Sequence, residues 1–210
     1  MFEKKYYSVI LQKISLILRN SSNEMDCLSV FVDENLEKQV IWWLTLVFPP
    51  SFLQLILNLQ QSELFFDEIK FSKISSKRLS FYKKVIDLLD FYKGWRFYYF
   101  SVNKVTANSY LDFVNNLSSI LDKYSQMAVF IDYLTFPKKA NIERKIINQV
   151  KPVKLCLREN SKASLFLQVS DLLVGIVSNL ENNKIISVKK KELIDYIKSK
   201  PNILGKIKKL

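Results

Sequence analysis

The residues able to do chemistry in this chain are carboxylates, because it contains no histidine. That one absence removes Ser-His-Asp and Cys-His catalysis, histidine-built zinc sites and every histidine general base. Acid, lysine and metal chemistry remain. Two segments set an aspartate in nearly the same context, Val30-Phe31-Val32-Asp33-Glu34 and Val129-Phe130-Ile131-Asp132-Tyr133. In each, an apolar run of the kind buried on both faces of a sheet stops at the acid. If the two strands are parallel neighbours, Asp33 and Asp132 project together at the carboxyl edge, where open α/β sheets place their ligands. Two carboxylates so placed repel each other unless a cation lies between them. Oxygen ligation without histidine then selects a hard ion, Mg²⁺ or Mn²⁺, over zinc. The plainer reading is that an aspartate ends a strand to cap the following turn.

Two more acids extend the set: Glu68 in Phe66-Asp67-Glu68-Ile69-Lys70, and Asp171 in Leu167-Gln168-Val169-Ser170-Asp171-Leu172-Leu173. Asp171 falls in an otherwise apolar helical run, where a charge is costly unless it is paired or bound to metal. Pairing with a lysine, or capping by Ser170, is the alternative.

Elements that could position these acids follow from the hydrophobic pattern. Tyr6, Ile10, Ile14 and Ile17 form the stripe of a helix over 4–19. Leu28 to Val32 reads as a strand closed by Asp33-Glu34, followed by a polar turn (35–38) and a long strand (39–48) in a hairpin. A helix over 51–62 comes next, then a short strand over 64–71, then a helix capped by Ser76 or Ser80 that runs to Tyr92 and ends at Gly94. Strands at 95–102, 127–132 and 153–157 alternate with helices at 109–124, 142–149 and 164–180. A basic helix over 189–200 stops before Pro201. Alternation after an opening hairpin predicts a mixed sheet with helices on its faces. The aromatic run Trp95-Arg96-Phe97-Tyr98-Tyr99-Phe100 resembles a base-stacking platform, but a core strand is the better reading.

The stretch from Gln39 to Ser62 lacks charge. Pro49 and Pro50 interrupt it, and Gln54, Asn58 and Gln60 lie within it, so it reads as strand, turn and helix and not as a membrane span. With 49% hydrophobic residues in 210, three glycines and five prolines, the chain has enough core for one compact unit and no flexible linker. Cys27 and Cys156, without CxxC spacing or a secretory leader, read as reduced buried thiols of a cytoplasmic protein.

Lysine and arginine total 32 against 20 acids, a net charge of +12. Such a surplus favours a polyanionic partner such as nucleic acid, and alternatively serves solubility. Its main runs are Lys138-Lys139, Arg144-Lys145 and Lys189-Lys190-Lys191 with Lys198, Lys200, Lys206, Lys208 and Lys209.

Taken in order, Asp33-Glu34, Glu68-Ile69-Lys70, a strand closing on Asp132, and Gln168-x-x-Asp171-Leu-Leu-x-Gly175 resemble the "domain of unknown function 3800" family, regarded as RNase H-like. The likeness spans about residues 28–180, and the last motif is its most specific part. Asn35 and Leu36 stand where that family usually has Ser and Gly. The resemblance implies an RNase H-like core (28–180) with a helical extension (1–27) and a basic helical tail (181–210). It also implies a metal-binding set of Asp33, Glu68, Asp132 and Asp171, with Glu34 a weaker candidate. Such a cluster would hold Mg²⁺ or Mn²⁺ for in-line attack on a phosphodiester. Lys70 could then contact the scissile phosphate, or instead pair with a neighbouring acid. Gln168 could orient a ligand or bind backbone, and Lys138 and Lys139 could meet the substrate.

The expectation is therefore a metal-dependent nuclease acting on DNA or RNA. The alternatives are a non-catalytic nucleic-acid-binding module, or an interaction subunit whose N-terminal helix packs on a protein partner or a second copy.

Overall fold

A computed structural model describes residues 27–37, 40–48, 51–93, 95–103, 109–124, 126–133, 141–162, 164–182 and 187–210. For several strand residues, Asp33 and Glu34 among them, the description is confined to the backbone. The N-terminal helix over 4–19, the Pro49-Pro50 turn, the helix end at Gly94 and the pair Lys138-Lys139 lie outside the described residues.

The first strands are β1 (Cys27–Glu37) and β2 (Val40–Phe48), followed by α1 (Ser51–Ser62), a 3₁₀ turn (Phe71–Lys73), α2 (Leu79–Phe91) and β3 (Arg96–Asn103). Then come α3 (Ser109–Leu121), β4 (Gln126–Asp132), α4 (Ile142–Gln149), β5 (Val153–Glu159) and α5 (Leu165–Asn182). The chain closes with α6 (Val188–Lys198), α7 (Pro201–Leu204) and β6 (Ile207–Lys209). The six strands form one mixed sheet in the order β5-β4-β1-β2-β3-β6. β1 is antiparallel to β2 and β2 to β3, whereas β4, β5 and β6 each run parallel to their neighbours, so β2 alone is reversed.

Strand alternation divides the core into two layers. Phe97, Tyr99, Ala128 and Phe130 face a layer that includes Phe52 and Ile56 of α1, Val85 and Ile86 of α2, the apolar body of α5, and Leu193 and Ile197 of α6. Tyr98, Phe100, Val129 and Ile131, with Val30 and Val32, face a smaller layer containing Phe113 and Leu117 of α3 and Ile142 and Ile146 of α4. Each large side chain so buried contributes about 1.5–3 kcal/mol relative to its exposed state. The aromatic run of β3 is core on both faces, which leaves no stacking platform there. No helix among the described residues is long and apolar enough to cross a membrane.

Several elements depart from the sequence pattern. β1 does not stop at Asp33-Glu34; it continues to Glu37, because β2 pairs with it over the whole hairpin, Asp33 lying opposite Leu44. Asp33 is instead where β1 leaves β4, since their parallel ladder ends at Val32 and Ile131. Residues 64–70 form no strand, and residues 71–73 form the 3₁₀ turn. α2 begins at Leu79 after Arg78, with no side-chain cap from Ser76 or Ser80. The basic tail is not only helical. Pro201 starts α7, and β6 adds to the edge of β3 through Phe97↔Ile207 and Tyr99↔Lys209.

Candidate functional site

Parallel pairing brings acids from three strands to one level. Asp132 ends β4 in register with Glu159, the last residue of β5. Val32 is in register with Ile131, so Asp33, the next residue of β1, stands level with Asp132. Ala128 and Phe130 of β4, and Leu155 and Leu157 of β5, pack in the α5 layer. Alternation therefore carries Asp132 and Glu159 to the same side of the sheet. The backbones of Asp33 and Asp132 stand level on adjacent parallel strands. Glu159 was not anticipated, because the charged pair Arg158-Glu159 looks like a loop. Arg158 turns toward α4 and binds Glu143 with both Nε and Nη2, which holds the Glu143 carboxyl below its usual range. Glu159 is only 8% exposed, and no group among the described residues bonds its carboxylate. Burial alone pushes its pKa up. A buried carboxyl without a counter-charge is the kind of group that a cation would stabilise.

Glu68, Lys70, Gln168 and Asp171 form a second assembly, a side-chain clamp. Gln168, Asp171 and Gly175 are spaced three and four residues apart on α5, which puts them on one face of the helix. All three meet the extended segment 69–71. Ile69 N–H donates to Gln168 Oε1 at 2.9 Å, and Phe71 N–H donates to Asp171 Oδ2 at 3.1 Å. Gly175 gives Phe71 room, for a Cβ there would lie 2.7 Å from Phe71 Cδ1. From the other side, the Tyr82 hydroxyl accepts from Lys70 N–H at 3.1 Å and donates to Lys70 O at 3.0 Å. Backbone groups that a strand would satisfy in a ladder are satisfied here by side chains of α5 and α2, which is why the segment looks like a strand in sequence and is not one.

The clamp redefines several candidates. Gln168 is 5% exposed, and its amide nitrogen donates to Lys162 O at 3.1 Å, so both ends of its amide serve the fold and not a substrate. Glu68 pairs with Lys73 at 2.6 Å, and Asp171 Oδ1 pairs with Lys70 at 3.7 Å. Burial holds the Asp171 carboxyl above its usual pKa, offset in part by Lys70 and by Phe71 N–H, while nearby Glu68 pushes it further up. Lysines thus pair with Glu68 and Asp171, two of the four acids that the resemblance implies as metal ligands. A cavity of about 60 Å³ beside Glu68 and Gln168 has room for only a water or two.

The acids consequently fall into two groups. Asp132 and Glu159, level with Asp33, offer hard oxygen donors without a lysine partner among the described residues, and this donor set fits a divalent ion. Glu68 and Asp171 are compensated, and an ion could recruit them only by displacing Lys73 and Lys70. Among the described residues no three His, Cys, Asp or Glu side chains converge closely enough to share one ion. Tyr82, Lys73 and Glu159 are the residues that motif reading missed. For Glu159 the signal was available: two more residues of strand alternation would have placed it beside Asp132. No protein-family model matches the chain, and no curated protein matches it.

Proposed function

We propose that this protein is an RNase H-like, divalent-metal-dependent nuclease that cuts phosphodiester bonds of nucleic acid at the carboxyl edge of its sheet. One observation carries the reading: Asp33, just past the end of the β1–β4 ladder, stands level with Asp132 and Glu159, the last pair of the β4–β5 ladder. The strand order, with β2 alone reversed and β4 beside β1, supports the RNase H-like assignment. The net charge of +12 supports a polyanionic substrate.

A Mg²⁺ or Mn²⁺ ion held by Asp33, Asp132 and Glu159 would activate a water and steady the leaving oxygen. Asp171 and Glu68 sit behind lysines whose ion pairs are partly exposed, of the kind worth about 0–1 kcal/mol. Lys70, 38% exposed at its side chain, can turn from Asp171 to a substrate phosphate at little cost. Gln168 holds the backbone of residue 69, and so positions Glu68 and Lys70 on either side of it.

A second reading, a binding module that keeps the fold but cuts nothing, is favoured by those same lysine pairs. Cleavage of labelled single- and double-stranded DNA and RNA separates the two, with Mg²⁺ or Mn²⁺ against a chelator. Metal-dependent cutting by the wild type, lost in both Asp132→Asn and Glu159→Gln, is expected. Salt-sensitive binding without cutting by the wild type would sink the nuclease reading and leave the binding module.

A further inference from the structure

At the opposite edge of the sheet from the acids, a cleft of about 750 Å³ opens between the end of α2, the start of β3 and the α7–β6 segment. That volume is in the range of ligand sites, about 300–1,000 Å³. Its walls carry five cationic side chains and two aspartates, and the internal pairings show which charges remain available. Asp87 is taken by Lys200 at 2.6 Å and by the Tyr196 hydroxyl at 2.7 Å. Asp90 accepts from Ile203 N–H at 3.2 Å. Lys206 points inward, donating to the carbonyls of Leu89, Asp90 and Tyr92, where it caps the end of α2. What remains facing the cleft is Lys93 and Lys208, without ion-pair partners among the described residues, and Arg96. Arg96 Nη1 donates to the carbonyls of Lys93 and Trp95, which fixes the guanidinium at the rim while its other N–H groups stay available.

The same rim carries Phe91, 81% exposed. A solitary exposed apolar residue needs no explanation. A ring presented beside three cations at the mouth of a cleft has the composition of a single-strand site, in which bases stack on aromatic faces and basic side chains follow the backbone. A duplex keeps its bases stacked on one another and offers no free face to such a ring.

We propose that this cleft binds single-stranded nucleic acid, with Lys93, Arg96 and Lys208 on consecutive phosphates and Phe91 stacked on a base. The site is separate from the acidic edge and does not depend on the nuclease reading. An oligothymidylate of about twelve nucleotides, within the usual span of such sites, serves as the probe. Its binding is read by fluorescence anisotropy over a range of salt, with a chelator present so that neither metal nor cutting contributes. Lys93→Ala/Lys208→Ala should weaken binding about tenfold or more and lower the slope of log K against log salt by about 1.4, two phosphates at about 0.7 each. Phe91→Ala should weaken binding about 5- to 150-fold, the range for losing one stacked base, and leave that slope unchanged. Both variants alter exposed side chains, so their thermal midpoints should match the wild type. Wild-type affinity in either variant overturns the proposal, and so does a duplex of the same length that binds as tightly as the single strand.

Discussion

Replacing Gly175 with alanine sets two effects of opposite sign against each other. In a helix interior alanine is favoured over glycine by about 1 kcal/mol, so helix propensity alone predicts stabilisation. Against this, the new Cβ would lie 2.7 Å from Phe71 Cδ1 and nearer still to that residue's Cβ and Cγ. Ordinary carbon contacts are about 3.5–4.0 Å, so the phenylalanine must retreat by roughly 1 Å. Because the nearest atoms include Cβ, the ring cannot swing away alone; the backbone at 71 has to move. That motion pulls Phe71 N–H off Asp171 and strains the neighbouring bond from Ile69 to Gln168. Overpacking costs about 1–3 kcal/mol, and each bond lost about 1 kcal/mol more. After the gain in propensity, a net loss of about 1–3 kcal/mol is expected, which for a chain of this size lowers the midpoint by roughly 2–12 °C. Thermal and urea unfolding would measure it, with an unchanged urea slope confirming that the folded state is otherwise intact. In a Phe71→Gly background, which removes the Cβ as well as the ring, the same change should turn stabilising, by up to about 1 kcal/mol. A wild-type background that gains stability from Gly175→Ala would refute the clamp, since Phe71 could not then be seated on that glycine.

Three further outcomes follow from the same geometry. Gln168→Leu leaves the buried Ile69 N–H without an acceptor and should cost about 1–3 kcal/mol in denaturant unfolding; a neutral result would mean that the amide finds another partner. Lys206→Met removes three donors from carbonyls at the end of α2 and should cost about 2–4 kcal/mol, where a loss under about 0.5 kcal/mol would contradict its capping role. Glu159→Gln is a test of pH dependence. Burial raises the folded pKa of Glu159 above its unfolded value of about 4.3, so the wild type has its full stability below the unfolded value and loses it as pH climbs from there through the folded value. The glutamine variant has no such loss. Its urea midpoint should therefore gain on the wild type as pH rises above about 4.3, and a constant difference would show that burial does not perturb the carboxyl.

What was legible in sequence was whatever depends on near neighbours along the chain. The helices over 51–62 and 142–149 lie where their apolar spacing puts them, and the matched runs ending at Asp33 and Asp132 do become parallel partners. What failed depended on distant partners. Residues 64–71 carry strand-forming side chains, but the N–H groups of Ile69 and Phe71 are answered by Gln168 and Asp171 far along the chain, which no local pattern encodes. Glu159 was lost because Arg158 looks like the start of a loop, although Glu143 draws that arginine to one face and leaves the glutamate on the other. β6 is three residues long and mostly lysine, so only the exposed edge of β3 makes it a strand. The Gln168-x-x-Asp171 spacing was noticed correctly and interpreted as chemistry. Its demonstrable work is to hold a segment of backbone.

The pairing of β1 with β4 also sets an order in time. β1 meets β2 across a hairpin, a contact formed on the scale of microseconds, but Cys27 meets Gln126 only after most of the intervening chain has been gathered in. Early in folding, Asp33 belongs to a two-stranded ribbon, without Asp132 or Glu159 beside it. Docking β4 and β5 then brings Asp132 and Glu159 to its level and buries Glu159, so assembly of this edge works against the desolvation of a carboxylate. An ion that compensates the buried carboxylate has nothing to bind until the strands have docked. Such an ion would act on the lifetime of the finished sheet by slowing its unfolding, and would leave the early hairpin stage unaffected.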